Sequence, residues 1–288
     1  MDYVKDIFTQ EYIEMLNSLK LDISKNLTGS FAGNRRSRAK GSSVDFSDFR
    51  NYTLGDDIRR IDWNSYGRLN KLYVKIFEEE RQASVNIFLD ISNSMDFGEN
   101  NKLFFSKVIA ASLAYIAISK ADNVNIFTFH RKLELNIKNA SAKNKLASIV
   151  EFMDSLEASG ETDMEEAFSL IDKYGIRSGV GIFISDFLTK GDYKKILLNL
   201  LYKKQKLSVL HVLSKEELFP ELSGGVRLVD SENDSKLDIE IDPSVLEEYK
   251  KELTAFIEET ENFCKSRGIH YSLMNSGDPF NKYLNKLR

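Results

Sequence analysis

The chain has one cysteine, Cys264, and three histidines, His130, His211 and His270, among 288 residues. One thiol cannot close an internal disulfide, and so few soft ligands exclude a zinc centre built from Cys and His. A metal here would be held by oxygen. No apolar run is long enough to span a membrane: Val108–Ser119, the longest nearly uncharged stretch, falls well short of the roughly 20 residues required. The N-terminal MDYVKDIFTQEYIEML carries acids from its second residue and lacks the basic start and apolar centre of a secretory signal. A soluble, cytoplasmic protein without an integral membrane segment is therefore expected. No GxGxxG or GxxxxGK[ST] loop follows a strand-like run, so nothing supports dinucleotide or NTP binding by this chain.

The sequence does carry the makings of a core. A hydrophobic fraction of 42%, with 19 Phe and 12 Tyr, is globular rather than disordered composition, and the length allows one to two domains. Formal net charge is −4, which argues against nucleic acid as the main partner. The charge is unevenly spread. Residues 25–75 hold 11 basic and 5 acidic side chains, whereas residues 215–264 hold 5 basic and 15 acidic. Solvated surface explains such runs as readily as two partners of opposite sign do.

Hydrophobic periodicity divides the chain near residue 82. Glu11–Leu19 reads as part of a helix, Asn26–Lys40 as a Gly-, Ser-, Asn- and Arg-rich loop, and Val44–Glu80 as a small, mostly extended subdomain. Residues 1–82 are thus expected to form an N-terminal helix plus a subdomain. From Ala83 strands and helices alternate. Strands are expected at Ser84–Leu89, Val124–Phe129, Leu133–Ile137, Val180–Ser185, Leu207–Leu213 and His270–Met274. Helices are expected at Lys102–Lys120, which is apolar on nearly all sides, and at Lys143–Leu156, Met164–Tyr174 and Tyr193–Lys204. Another is expected after the Asp242-Pro243 start signal. The acidic Glu216–Asp242 stretch has room for a hairpin. The pattern predicts a doubly wound, mainly parallel α/β domain over residues 83–288.

In such sheets ligands bind beyond the carboxyl ends of the strands. The first strand ends in LDISNSM, with Asp90, Ser92 and Ser94 at alternate positions. The fourth ends in FISDF, with Asp186 at the equivalent height, and between them the Ser159–Thr162 loop offers the Thr162 hydroxyl. Two carboxylates and three hydroxyls suit a small hard cation, Mg²⁺ or Mn²⁺. If the hydroxyls bind directly and the carboxylates act largely through water, the ion keeps positive charge and an open position for a partner's carboxylate. The alternative is that Asp90 and Asp186 cap helices while the serines make turn hydrogen bonds.

Asp90-x-Ser92-x-Ser94, Thr162 within Gly160-x-Thr162, and Asp186 after a strand resemble the metal-ion-dependent adhesion site of von Willebrand factor type A domains. The upstream residues extend the likeness: Gly33-x-Arg35-Arg36-Ser37, Lys40-Gly41, Phe46-x-Asp48-Phe49-Arg50-x-Tyr52, Gly55-Asp56-Asp57-x-Arg59-x-Ile61-Asp62-Trp63, Arg68 and Val74-Lys75. Together they resemble a bacterial and archaeal family of unknown function whose members accompany MoxR-type AAA+ ATPases, over about residues 30–190. The pattern departs at Asp45, where the family usually has Glu, and at Gly67, where it usually has Ala. The resemblance implies a non-enzymatic adaptor that grips an acidic residue through bound Mg²⁺ and works with a MoxR-type AAA+ ATPase on an unidentified protein client.

Within the upstream motif, Asp57–Trp63 is expected to form a capped helical turn in which Trp63 packs, while Asp56, Asp62, Arg50, Arg59 and Arg68 pair across a domain junction. Its functional reading is a docking surface made by Arg50, Asp56, Asp57, Arg59, Asp62, Trp63 and Arg68. The Arg35-Arg36-x-Arg38-x-Lys40 run could instead contact phosphate. The competing class is a Mg²⁺- or Mn²⁺-dependent hydrolase using the same ion to activate water. Against it, no His or Lys lies in the site loops, leaving Asp96, Glu99 and Glu161 as the nearby acids. Covalent phosphoryl transfer at Asp90, as in haloacid-dehalogenase-like enzymes, would need an Asp where Ser92 stands. The histidines and Cys264 read as structural, Cys264 as a core thiol.

Overall fold

Apolar runs of about seven residues, each followed by a polar loop and a helix, assemble here into a single central sheet, and most of the chain serves to cover it. The computed structural model describes residues 3–28, 45–78, 83–189, 191–229 and 236–286. The Arg35–Lys40 run and Glu80 lie outside the described residues. The chain forms two compact units, one of Met1–Ser24 with Ala83–Arg288, the other of Lys25–Gln82. The first 24 residues therefore group with the large unit and not, as expected, with the subdomain. After α1 (Val4–Ile7) comes α2 (Gln10–Thr28), which runs further than the sequence pattern suggested. Specific contacts tie the N-terminal segment to the large unit: the Val4 amide donates to Asp154 at 2.5 Å, Tyr12 shares a 2.9 Å hydrogen bond with Ser112, and the Tyr115 hydroxyl donates to Asn17 at 3.0 Å.

The small unit is an antiparallel pair, β1 (Asp45–Asn51) and β2 (Tyr73–Glu78), joined through a 3-10 turn at Ile58–Arg60 and α3 (Trp63–Leu69). Asp57 caps the turn, accepting from the Arg59 amide at 3.1 Å, as the motif suggested. The rest of that reading is corrected. Trp63 is 61% exposed and touches Tyr66 edge-to-face, while Ile61 and Val74 supply the buried apolar contact. The ion pairs are local to the unit: Arg50 grips Asp56 through two 2.6 Å bonds, Asp57 pairs with Arg59, and Asp62 with Lys75. Arg68 is exposed.

In the large unit the chain continues through β3 (Ser84–Asp90), α4 (Lys102–Ile118), β4 (Asn123–Phe129), β5 (Leu133–Ala140), α5 (Lys145–Ser155) and α6 (Met164–Phe168). Next come β6 (Gly179–Ser185), α7 (Tyr193–Tyr202), β7 (Gln205–Leu213), α8 (Lys215–Leu218), β8 (Gly224–Val229) and β9 (Lys236–Ile241). It ends with α9 (Pro243–Ser266), β10 (His270–Asn275) and α10 (Phe280–Lys286). The sheet order is β10-β7-β6-β3-β4-β5, parallel throughout except for β5, an antiparallel edge strand. This is the doubly wound, mainly parallel arrangement that the alternation predicted. Because β3 leads to β4 on one side and pairs with β6 on the other, the strand order reverses between β3 and β6. Open α/β sheets bind ligands beyond the carboxyl ends of the strands at such a reversal.

Packing holds that point rigid. β3 is buried along its length, and α4 is buried nearly all round because it lies under the covering elements. Phe88, Phe127, Phe129, Phe168 and Phe183 form a connected aromatic core on one face. At Gly179, β6 approaches β3 so closely that a Cβ would sit 2.0 Å from the Ser84 carbonyl oxygen. The expected Met164–Tyr174 helix is instead α6 followed by a 3-10 turn at Ile171–Tyr174, closed by Gly175 at φ 56°. The acidic stretch does hold a hairpin, β8 with β9. Among the described residues no helix is long and apolar enough to cross a membrane.

Candidate functional site

Strand β3 delivers Asp90 to the reversal point and the chain then turns sharply, so that Ser92 and Ser94 come back beside it. The turn is set by Asp90 itself, whose Oδ1 accepts from the Ser92 amide at 3.0 Å. The two serine hydroxyls lie 3.0 Å apart. Strand β6 delivers Asp186, and here the backbone is strained: Phe187, the next residue, sits at φ 58°, a left-handed conformation that side chains with a Cβ seldom adopt. The strain is held by two local bonds, from the Phe187 amide to the Ser185 hydroxyl at 2.9 Å and from the Leu188 amide to Asp186 Oδ1 at 3.0 Å. It is also held by packing of Phe187 against Phe183, Tyr193 and His211.

Three loops are laced together around these residues. The Ser185 hydroxyl donates to Asp90 Oδ2 at 2.7 Å, joining β6 to β3. The Asn93 amide donates to the Gly160 carbonyl at 3.0 Å and the Ser159 amide to the Ile91 carbonyl at 2.8 Å, bringing in the loop that carries Thr162. The Thr189 hydroxyl then reaches the Thr162 carbonyl at 3.1 Å. All five expected site residues are buried, Ser94 the most open at 8%. The partner-docking set, Arg50, Asp56, Asp57, Arg59, Asp62, Trp63 and Arg68, belongs wholly to the small unit.

The electrostatics reflect two carboxylates taken out of water side by side. Burial, then the charge of Asp186, push the Asp90 carboxyl up to about 7, against the opposing bonds from Ser185 and Ser92. Sequence reading placed no lysine or histidine here, and that is corrected. Lys102, the first residue of α4, is fully buried and its Nζ donates to Asp186 Oδ2 at 2.8 Å and to Glu217 Oε1 at 2.6 Å. Burial disfavours its charge, but the two carboxylates outweigh that and hold its pKa above the ordinary lysine value. His211 lies opposite Ser185 on β7, fully buried, with Nδ1 2.8 Å from the Tyr271 hydroxyl. Burial lowers its pKa to about 4, so it stays neutral and structural, as Cys264 in the core does.

Among the described residues no cluster of three or more His, Cys, Asp or Glu forms a conventional multi-carboxylate or soft-ligand metal centre. The donor set at the reversal point is of another kind: two buried carboxylates and the Ser92, Ser94 and Thr162 hydroxyls, all oxygen. Such donors fit a small hard divalent cation.

Comparison with known proteins leads to uncharacterised relatives. The protein Rv1480 of Mycobacterium tuberculosis, described as uncharacterized, is 21% identical over 255 residues, 87% of this chain and 80% of that one. The uncharacterized protein Mb1516 of Mycobacterium bovis is similar to the same extent. Among solved structures, the conserved hypothetical protein BatB from Bacteroides thetaiotaomicron is 18% identical with a TM-score of 0.43, over 71% of this chain and 96% of that one. A von Willebrand factor type A protein from Catenulispora acidiphila is 13% identical with a TM-score of 0.35, over 50% of this chain and 36% of that one. The family model of the protein of unknown function DUF58 matches residues 48–258, and the chain belongs to that family.

Proposed function

We propose that this protein is a non-enzymatic, metal-dependent protein-binding module, an adaptor that works with a MoxR-type AAA+ ATPase on a protein client. The observation that carries the reading is the convergence of Asp90, Ser92, Ser94, Thr162 and Asp186 at the reversal point of the sheet, on three mutually hydrogen-bonded loops. These five residues would hold Mg²⁺ or Mn²⁺, which when bound supplies a Lewis-acidic position for an anionic oxygen.

The chain's own residues supply the rest of the reading. Both oxygens of each carboxylate already accept protein hydrogen bonds, Asp90 from the Ser92 amide and Ser185, Asp186 from the Leu188 amide and Lys102. That engagement favours the hydroxyls as direct ligands and the carboxylates as water-mediated ones, leaving charge to attract a carboxylate from outside. The partnership with a MoxR-type ATPase rests on the upstream motif resemblance. There the small unit presents Trp63, Ile58, Leu54 and Leu69 to solvent among Arg59 and Arg68, an apolar and basic surface suited to docking.

The test is pull-down of a purified MoxR-type ATPase in Mg²⁺ and in EDTA. Binding that needs Mg²⁺ and is lost in Asp186→Ala supports the adaptor. Mg²⁺-independent binding, or Mg²⁺-dependent phosphatase or nuclease turnover abolished by the same substitution, removes it.

A further inference from the structure

Lys102 is a cation placed where nothing in the fold requires one. The remainder of α4 is covered by apolar and small side chains, and a buried lysine costs several kcal/mol unless it is fully paired. Its pairing here is complete and specific. The ammonium bridges Asp186, just beyond β6, and Glu217 on α8, and lies 5.8 Å over the Phe97 ring. Glu217 is itself fixed from three sides. It closes a capping box with Ser214, its Oε2 accepting from the Ser214 amide at 2.7 Å while its own amide donates to the Ser214 hydroxyl at 3.1 Å. The Tyr249 hydroxyl of α9 donates to its carbonyl at 2.9 Å. Lys102 is thus held at Asp186 by its own helix and by α8, which α9 braces in turn.

The charges of this cluster are three carboxylates, Asp90, Asp186 and Glu217, against one ammonium. When all are ionised they leave two negative charges, the complement of one divalent cation. A bound divalent cation brings that sum to zero; without Lys102 there would be three negative charges, and the cation-loaded cluster would carry one net negative charge.

We infer that Lys102 is a positioning residue that sets the electrophilicity of the metal site: by holding and partly neutralising Asp186 it keeps the cation-loaded cluster from turning net negative, so that a partner's carboxylate is drawn to the cation and not repelled. Glu217 has the opposite effect, drawing the ammonium away from Asp186. This rests on the metal-binding reading above and adds to it the reason why the site seeks an acidic ligand. Removing Lys102 strengthens the hold on the cation and weakens the affinity for the incoming carboxylate. Removing the Glu217 charge does the reverse, because Lys102 is then left to Asp186 alone.

The experiment is titration of Mn²⁺ into the full chain by calorimetry, followed by titration of acetate into the Mn²⁺-loaded protein, read by water-proton relaxation. Lys102→Met is expected to bind Mn²⁺ at least about tenfold more tightly and acetate at least about tenfold more weakly. Glu217→Gln, which keeps the capping-box hydrogen bonds, is expected to shift both affinities the other way and carries the test if Lys102→Met does not fold. Opposite movement of the two constants is a result that loss of packing alone would not produce. Wild-type protein that binds Mn²⁺ while the variants move both constants together, or not at all, overturns the inference alone. Wild-type protein that takes up no Mn²⁺ overturns the metal reading and the inference with it.

Discussion

Replacing Asp90 with asparagine separates the electrostatic cost of the site from its packing. The carboxyl has an ordinary value of 3.8 in the unfolded chain and about 7 in the folded one. Below pH 4 it is protonated in both states. As pH rises to about 7 the unfolded chain releases the proton while the folded chain retains it, so the contribution to stability is full below the unfolded value and is lost through the folded one. The gap of about three pH units, at ~1.36 kcal/mol each, is a penalty of about 4 kcal/mol at pH 8 in the absence of divalent ions. Asparagine removes the charge and keeps an oxygen for the Ser92 amide, but leaves the Ser185 hydroxyl without its acceptor, a loss of about 1 kcal/mol. Asp90→Asn is therefore expected to be more stable than wild type by about 3 kcal/mol at pH 8, roughly 6–12 °C in Tm. At pH 4 it is expected to be less stable by about 1 kcal/mol. Urea and thermal unfolding in EDTA across this range check it. Parallel pH profiles for the two proteins would refute the reasoning, because they would mean that Asp90 does not bear the cost of two buried carboxylates.

Two further outcomes follow from the packing and the surface. Gly179→Ala would force a Cβ against the Ser84 carbonyl where β6 meets β3, and a loss of about 3 kcal/mol in urea unfolding is expected; a neutral result would mean the strands can separate there. Trp63→Ala removes a side chain that is 61% exposed, so unfolding stability should move by no more than about 0.5 kcal/mol. Affinity for a MoxR-type ATPase, measured by interferometry, should fall about tenfold or more if this face docks.

Much of the site was legible because strand-end position is a local property. An apolar run ending in Asp90 and another leading into Asp186 bring both to the carboxyl edge of a parallel sheet, although with Leu89 paired to Ile184 it is Ser185 that stands level with Asp90 and Asp186 lies one residue beyond; the two serines follow from the turn that Asp90 caps. Lys102 was not legible. A lysine at the start of a helix is an ordinary surface residue in sequence, and the carboxylates that justify its burial stand 84 and 115 positions away. Trp63 was misjudged for the converse reason: a large aromatic is usually core, but among the described residues of the small unit Ile61 and Val74 are the buried apolar side chains, and they are already covered. The direction of β5 was also hidden, since its half-buried alternation is the same whether the strand runs parallel or antiparallel. The Met164–Tyr174 segment keeps helical periodicity to its end, so its break after Phe168 reflects the fit of Ile171 and Tyr174 beneath β4 and β5. α10 is too short for periodicity to announce and is fixed by Phe280 stacking on Phe105, 5.3 Å away.

The central claim is that the reversal point of the sheet binds a divalent cation through Asp90, Ser92, Ser94, Thr162 and Asp186. Calorimetric titration of Mg²⁺ into EDTA-treated, dialysed protein tests it directly, with Asp186→Ala as control and near-ultraviolet circular dichroism to verify that both proteins are folded. The account predicts one saturable site in the wild type and none in the variant, with affinity that rises when a MoxR-type ATPase is present, since coupled binding is reciprocal. Heats of wild type and variant that coincide, with and without the ATPase, would contradict it.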